Sequence, residues 1–323
     1  MTFISAVIPV FNEAESLPEL HRQFSKVCGE HNYEYELVFI DDGSTDNSWE
    51  CIKELHTKDP RIKGIRFRRN FGKAAALNAG FKEATGKVVF TLDADLQDDP
   101  EEIPNFLEKL ESEQLDVISG WKKKRYDPWH KVGPSRIFNK MVSTLTKVKL
   151  HDHNCGFKCY RREVLQEVHL YGELHRFVPV LAAARGYKVG EVIVNHRKRQ
   201  FGYSKYGVRR IVKGFLDLLT VYMLTGYGHR PQHFVGTLGL ICFGISGLLT
   251  GGLATSWIVD RIINDQPTIH LHERAIFYFA LVGVIIGIQL LMTGFLAELI
   301  TKQTSRDEQI YAISESLLDE DQN

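Results

Sequence analysis

Two long stretches without a charged side chain constrain this chain more than any other feature it has. Phe234 to Val259 is the first and Ala275 to Ala297 the second, with the polar loop Asp260 to Arg274 between them. A helix needs about 20 apolar residues to cross the hydrocarbon core of a bilayer. Inside that core each backbone amide must be satisfied within its own segment, so two isolated spans have to be helices. Soluble cores seldom supply two such runs in tandem. The expectation is therefore a transmembrane hairpin over 233–299, with spans of about 234–259 and 275–297, that returns the chain to the side it came from.

Charge placement predicts which side that is. Val192 to Leu216 contains no Asp or Glu but carries Arg197, Lys198, Arg199, Lys205, Arg209, Arg210 and Lys213; Lys302 and Arg306 follow the second span. Cations flanking spans favour the cytoplasmic face, and each adds on the order of 1 kcal/mol of attraction to an anionic surface. Both termini are therefore expected in the cytoplasm. Val208 to Tyr222 sets basic residues against Phe215, Leu216, Leu218, Leu219 and Tyr222, the pattern of a surface-lying amphipathic helix. The apolar start, Phe3 to Phe11, lacks a basic leader and is interrupted by Pro9, so it does not read as a signal peptide. Five scattered cysteines fit a reducing compartment. A formal net charge of zero argues neither for nor against a nucleic-acid partner, and none is expected.

Ahead of the spans, β-branched runs alternate with helical patterns. Ile4–Val10, Tyr35–Ile40, Ile62–Phe67, Val88–Leu92 and Leu115–Ser119 read as strands. Glu15–Cys28, Asp46–Lys58, Lys73–Ala84 and Glu101–Glu111 read as helices, with Asp46 as an N-cap. Such alternation implies an α/β domain with a mainly parallel sheet. Further on, 136–146 and 173–185 read as helical and 156–160 and 187–194 as extended. The predicted organisation is a catalytic domain over 1–207, juxtamembrane helices over 208–232, the hairpin, and a tail over 300–323.

Three strand ends carry polar clusters: Pro9-Val10-Phe11-Asn12-Glu13, Asp41-Asp42-Gly43-Ser44-Thr45-Asp46, and Asp93-Ala94-Asp95-Leu96-Gln97. In a parallel sheet all three emerge at the carboxyl edge, where ligands bind. Oxygen ligands at the Asp93/Asp95 spacing suit a hard divalent cation that also holds nucleotide phosphates.

Together with Arg69-Asn70-Phe71-Gly72-Lys73, these clusters resemble family-2 glycosyltransferases of GT-A fold (Rossmann-like). Gly202-Tyr203-Ser204-Lys205-Tyr206-Gly207 and the second span resemble the polyprenyl-phosphate glycosyltransferases within that family, relatives of dolichol-phosphate mannose synthases. The resemblance implies that Pro9, Asn12, Glu13, Asp42 and Lys73 hold the nucleotide sugar. It implies that Asp93, Asp95 and Gln97 hold its diphosphate through Mg2+ or Mn2+, Asp95 being counted also among the catalytic residues. Transfer of one sugar to an undecaprenyl or dolichyl phosphate, with inversion, is the expected reaction. UDP-glucose or UDP-N-acetylglucosamine are the favoured donors and GDP-mannose the alternative. A homo-oligomer, and a flippase or a periplasmic or lumenal glycosyltransferase that consumes the product, are compatible partners.

A lipid phosphate is already anionic at neutral pH, its second pKa being about 6. It needs cations more than a general base, and Arg125, Arg199, Ser204 and Lys205 are the candidates, with Arg199 and Lys205 assigned a catalytic role. Lys122-Lys123-Lys124 reads instead as an exposed cluster. Asp152 to Lys158 resembles the family's Asp-x-x-x-Gly-Phe-Arg stretch. Some bacterial relatives place an acid just before the Phe; Gly156 stands there in this chain, so Asp152 is the nearest substitute for a base. His151, His153, Cys155 and Cys159 match no common zinc spacing. His196 reads as either a structural residue or a remote phosphate or metal contact, and Gln289 as a hydrogen-bonding partner of a neighbouring membrane helix. Two rivals remain: transfer to a lipid hydroxyl, which requires a committed base, and a non-catalytic nucleotide-binding membrane scaffold.

Overall fold

The computed structural model describes residues 2–123, 129–168, 172, 174–197, 209–227, 230–264 and 268–304. The chain divides into two compact units, one built on Met1–Thr225 and one on Gly226–Tyr311.

In the first unit the chain runs β1 (Phe3–Val10), α1 (Leu17–Glu30), β2 (Glu34–Asp41), α2 (Ser48–Lys58), β3 (Ile62–Arg66), α3 (Lys73–Glu83), β4 (Val88–Thr91), α4 (Ile103–Ser112) and β5 (Val117–Trp121). It continues through α5 (Trp129–Thr146), β6 (Lys158–Arg161), α6 (Arg162–Glu167), α7 (Val178–Ala184), β7 (Val189–Ile193) and α8 (Arg209–Tyr227). The described strands form one sheet in the order β3-β2-β1-β4-β6-β5-β7. β1 pairs in parallel with β2 and β4, β2 with β3, and β5 with β7; only β6 runs antiparallel, to both β4 and β5.

Strand order explains where a ligand can sit. From β1 the chain moves outward to β2 and β3, then crosses back to place β4 on the other side of β1. That reversal opens a crevice at the carboxyl ends of β1 and β4. Helices cover both faces, so the central strands are buried nearly throughout. α1, α2 and α4 pack on one face around Phe24, Phe39, Phe90 and Phe106. α3, α6 and α7 cover the other around Val7, Val38, Leu77 and Val178. In α1 the buried Leu17, Leu20, Phe24, Val27 and Cys28 recur every three to four residues, as a one-sided helix requires.

Several predicted boundaries shift for local reasons. Asp46 does not cap α2; Asn47 holds that position, while Asp46 Oδ1 accepts Ser48 N at 3.0 Å and Oδ2 accepts Ala14 N at 3.2 Å. β5 starts at Val117, because Leu115 N still bonds to Leu110 O and Gln114 turns the chain at φ 50°. The single helix expected over 173–185 is a short 3-10 turn, Leu174–Phe177, followed by α7, whose first turn contains Pro179. Proline has no N–H to continue the preceding turn. α8 packs Leu218 and Val221 against Val142 of α5 and Phe177, while Phe215, Leu216 and Leu219 remain exposed.

The second unit consists of α9 (Pro231–Ile263) and α10 (Ala275–Thr304), each long and apolar enough to cross a membrane. Their outward side chains are exposed, Leu248 and Phe279 among them, rather than packed in a core. Small residues line the contact: a Cβ on Gly239 would meet Gly287 O at 2.9 Å, and one on Gly287 would meet Phe243 N at 2.7 Å. Gln289 faces outward and is not the polar link between the helices; Glu298 accepts Gln232 N across them at 3.2 Å.

Candidate active site

The loops that leave β1 and β2 are zipped together by hydrogen bonds. Asn12 adopts φ 58°, its amide oxygen accepts Thr45 N at 2.8 Å, and its own N–H reaches Ser44 Oγ at 3.0 Å. Glu13 N donates to Ser48 Oγ at 2.9 Å. Pro9 lies within β1 opposite Ile40. Asp42 is buried and accepts Phe71 N at 2.7 Å and Gly72 N at 2.9 Å, so its carboxylate braces the segment leading into α3. Burial raises its pKa against the pull of those two N–H groups. Gly43, at φ +71°, lets that segment approach: a Cβ there would stand 2.5 Å from the Arg69 carbonyl carbon.

β4 delivers the third cluster to the same edge. Asp93 lies next to Lys73, the first residue of α3, and the two form an ion pair. Burial opposes ionisation of Asp93, but Lys73 and Lys122 outweigh it and hold the carboxyl well below its usual range. Asp95 is 6% exposed, and its Oδ1 accepts Gln97 N at 3.2 Å across Leu96, which turns at φ 60°. Asp93, Asp95 and Gln97 thus share one tight loop, with oxygen donors of the type a hard divalent cation prefers. Among the described residues no three His, Cys, Asp or Glu side chains cluster as a ready-made metal cage. Two carboxylates and an amide instead suit a cation whose remaining ligands come from a substrate diphosphate. Asp93 already attracts one cation, the Lys73 ammonium, which is consistent with that reading.

Three residues from outside the loop's own motif support it. Lys122 is not part of an exposed cluster: its side chain is mostly buried, Nζ stands 3.1 Å from Asp98 Oδ1, and Asp98 accepts Asp93 N at 3.2 Å. Arg197 ties the loop to the segment after β7, with Nη2 2.5 Å from Asp99 and Nη1 donating to Gln23 at 2.7 Å. Its backbone N donates to Gln97 O at 3.0 Å. Lys158, in β6 opposite Thr91, is buried and donates to Cys155 O; burial lowers its pKa to about 8. Each of the Lys122 and Arg197 contacts joins residues far apart in sequence, and Lys158 reaches the site only through the pairing of β6.

Other candidates are placed differently. Asp152 is buried, with Oδ1 accepting Asn154 N at 3.1 Å, a position that shapes the turn before β6. Gly156 packs directly on Asp93: a Cβ would meet Oδ2 at 2.7 Å. His153 is buried with Nε2 3.0 Å from Ser143 Oγ, and burial lowers its pKa to about 4. His151 stacks on Trp121, and Cys155 and Cys159 are buried. His196 is buried and its backbone pairs with Asp98. Arg125, Arg199, Ser204 and Lys205, the predicted acceptor group, lie outside the described residues.

Comparisons with known proteins point one way. The family profile described as Glycosyl transferase family 2 matches residues 5–169. Dodecaprenyl-phosphate galacturonate synthase of Rhizobium johnstonii is 35% identical over 313 residues, covering 94% of this chain and 89% of its own length. Undecaprenyl-phosphate 4-deoxy-4-formamido-L-arabinose transferase of Proteus mirabilis is 35% identical over 298 residues, covering 92% and 88%. Among solved structures, glucosyl-3-phosphoglycerate synthase from Mycobacterium tuberculosis, in complex with Mn2+ and UDP-glucose, aligns with a TM-score of 0.53. It is 15% identical and covers 69% of this chain and 79% of its own, a likeness of fold.

Proposed function

The chain belongs to glycosyl transferase family 2, and we propose that it moves one sugar from a nucleotide sugar to a polyprenyl phosphate at a membrane surface. The observation that carries this reading is the Asp93–Gln97 loop, set on a switch-point edge in a chain that also contains an apolar helical hairpin. Two relatives named for lipid-phosphate acceptors, each matched over most of its length, support the acceptor class.

On this reading Asn12, Glu13 and Asp42 organise the nucleotide side, and Asp93, Asp95 and Gln97 hold a divalent cation against the donor diphosphate. A bound Mg2+ or Mn2+ would neutralise the charge that grows on the leaving nucleoside diphosphate. The acceptor phosphate oxygen forms the new bond to the anomeric carbon as the bond to the diphosphate breaks, which inverts that centre. The attacking phosphate is already anionic, so no proton has to be removed in the step. Arg199 and Lys205 would orient it, and Asp152 would position the turn beneath the sugar. The hairpin would hold the lipid, with both termini in the cytoplasm.

The donor is best sought among UDP sugars. Galacturonate and the formamidoarabinose in the relatives' names widen the panel beyond UDP-glucose and UDP-N-acetylglucosamine, with GDP-mannose as the outlier. Purified protein given undecaprenyl phosphate and each donor should yield a lipid-linked sugar from one of them, and EDTA should abolish it. Lys205→Ala should raise the KM for lipid by on the order of tenfold, as loss of a charged contact implies, and leave that for donor unchanged. Turnover insensitive to EDTA would exclude the cation from the reaction; an equal effect of Lys205→Ala on both substrates would refute the acceptor assignment.

A further inference from the structure

A cavity of about 720 Å³ opens between the end of β5, one face of α5 and the segment Lys149–His151. Lys123, Arg136, Lys140 and Lys149 line it, and no Asp or Glu does. Lys122 also reaches the wall, but its ammonium is paired with Asp98. Among the described residues no carboxylate pairs with Arg136, Lys140 or Lys149. Glu191, an acid bonded to the lining residue His151, is engaged through that residue's backbone N and ring Nδ1.

The walls are held in place by hydrogen bonds and stacking. Asn139, 4% exposed, donates to His151 O at 2.9 Å and accepts from Asn154 at 3.3 Å, which fastens α5 to the loop. The His151 ring stacks on Trp121 with centroids 4.0 Å apart. Arg136 and Lys140, one helical turn apart, repel each other. Like charges gathered around one hollow concentrate positive potential, and an anion is the ligand that relieves it.

Its surroundings select among anions. Ile137, 71% exposed, and Leu145 project from the same helix, and α8, packed on α5, exposes Phe215, Leu216 and Leu219. Cations beside exposed apolar side chains on packed helices fit a lipid–water boundary better than open solvent. We propose that this cavity holds the phosphate of an anionic phospholipid headgroup, at a site separate from the acceptor's phosphate. Inorganic phosphate shares the chemistry and differs in source.

Lipid binding to the full chain in detergent, followed by native mass spectrometry, separates the possibilities. The wild type should bind phosphatidylglycerol on the order of tenfold more tightly than phosphatidylcholine. Lys140→Gln/Lys149→Gln should lose most of that preference while keeping turnover at saturating donor and acceptor. The same charge change at Lys26 and Lys53, exposed on α1 and α2, should leave it intact. Equal affinity for the two lipids, or undiminished preference in the Lys140/Lys149 variant, would overturn the proposal. Inorganic phosphate binding as tightly as the lipid would overturn the lipid source. Loss of turnover in step with lipid binding would merge the cavity with the acceptor site and so end its separate status.

Discussion

At position 156 even a methyl group would stand 2.7 Å from Asp93 Oδ2 and 2.9 Å from its Cγ. Gly156→Ala must therefore displace the carboxylate or the turn that carries it, at about 1–3 kcal/mol of strain. Donor kcat/KM should fall on the order of tenfold or more, and Mn2+ affinity with it, while the far-ultraviolet circular dichroism spectrum stays unchanged. Unaltered Mn2+ binding would show that Asp93 has room this geometry denies it. Lys158 makes a different prediction. Its folded pKa, about 8, lies below the ordinary 10.5 because burial disfavours the charge. Between those values the unfolded chain binds more protons than the folded one, so stability rises with pH across that window and the gain is absent below about 8. The full effect is on the order of 3 kcal/mol. Lys158→Met should not show the rise, so the Tm of the wild type should climb relative to that of the variant from pH 8 to pH 10. Asp93, Asp95 and Gln97 were legible in the sequence because two acids one apart at a strand end form a local pattern. Lys122 and Arg197 were not, since they come to the site only through the fold; Lys158 was marked by the Asp152 to Lys158 stretch, but its burial was not.

Helices α9 and α10 illustrate the same boundary between pattern and contact. Their existence and approximate length follow from hydropathy alone. Which faces meet does not, because lipid and partner helix are equally apolar and only shape distinguishes them. Gly239 and Gly287 mark the contact, whereas a methyl group added at Gly251 or Gly252 would have nothing within 4 Å. Gly287→Val should separate the helices and lower the Tm in detergent, at about 1–3 kcal/mol for overpacking. Gly252→Ala should be neutral or slightly stabilising, since alanine is the better helix former by about 1 kcal/mol. Equal Tm values for the two variants would place the interface elsewhere.

For the molecule as a whole, the βα alternation exposed the parallel half of the sheet, and the three polar strand ends located its functional edge. Strand β6 escaped in its role. Gly156 to Tyr160 reads as extended, but nothing in so short a segment announces that it runs antiparallel between β4 and β5. That insertion sets Lys158 opposite Thr91 and brings Gly156 against Asp93, so part of the site's support depends on topology. The central claim is chemical: a sugar leaves a nucleoside diphosphate and joins a lipid phosphate. Phosphorus-31 NMR of purified protein, donor and undecaprenyl phosphate follows both partners at once. The lipid phosphomonoester resonance should convert to a phosphodiester as an equal amount of nucleoside diphosphate appears. Nucleoside diphosphate accumulating beside an unchanged lipid monoester would contradict the claim.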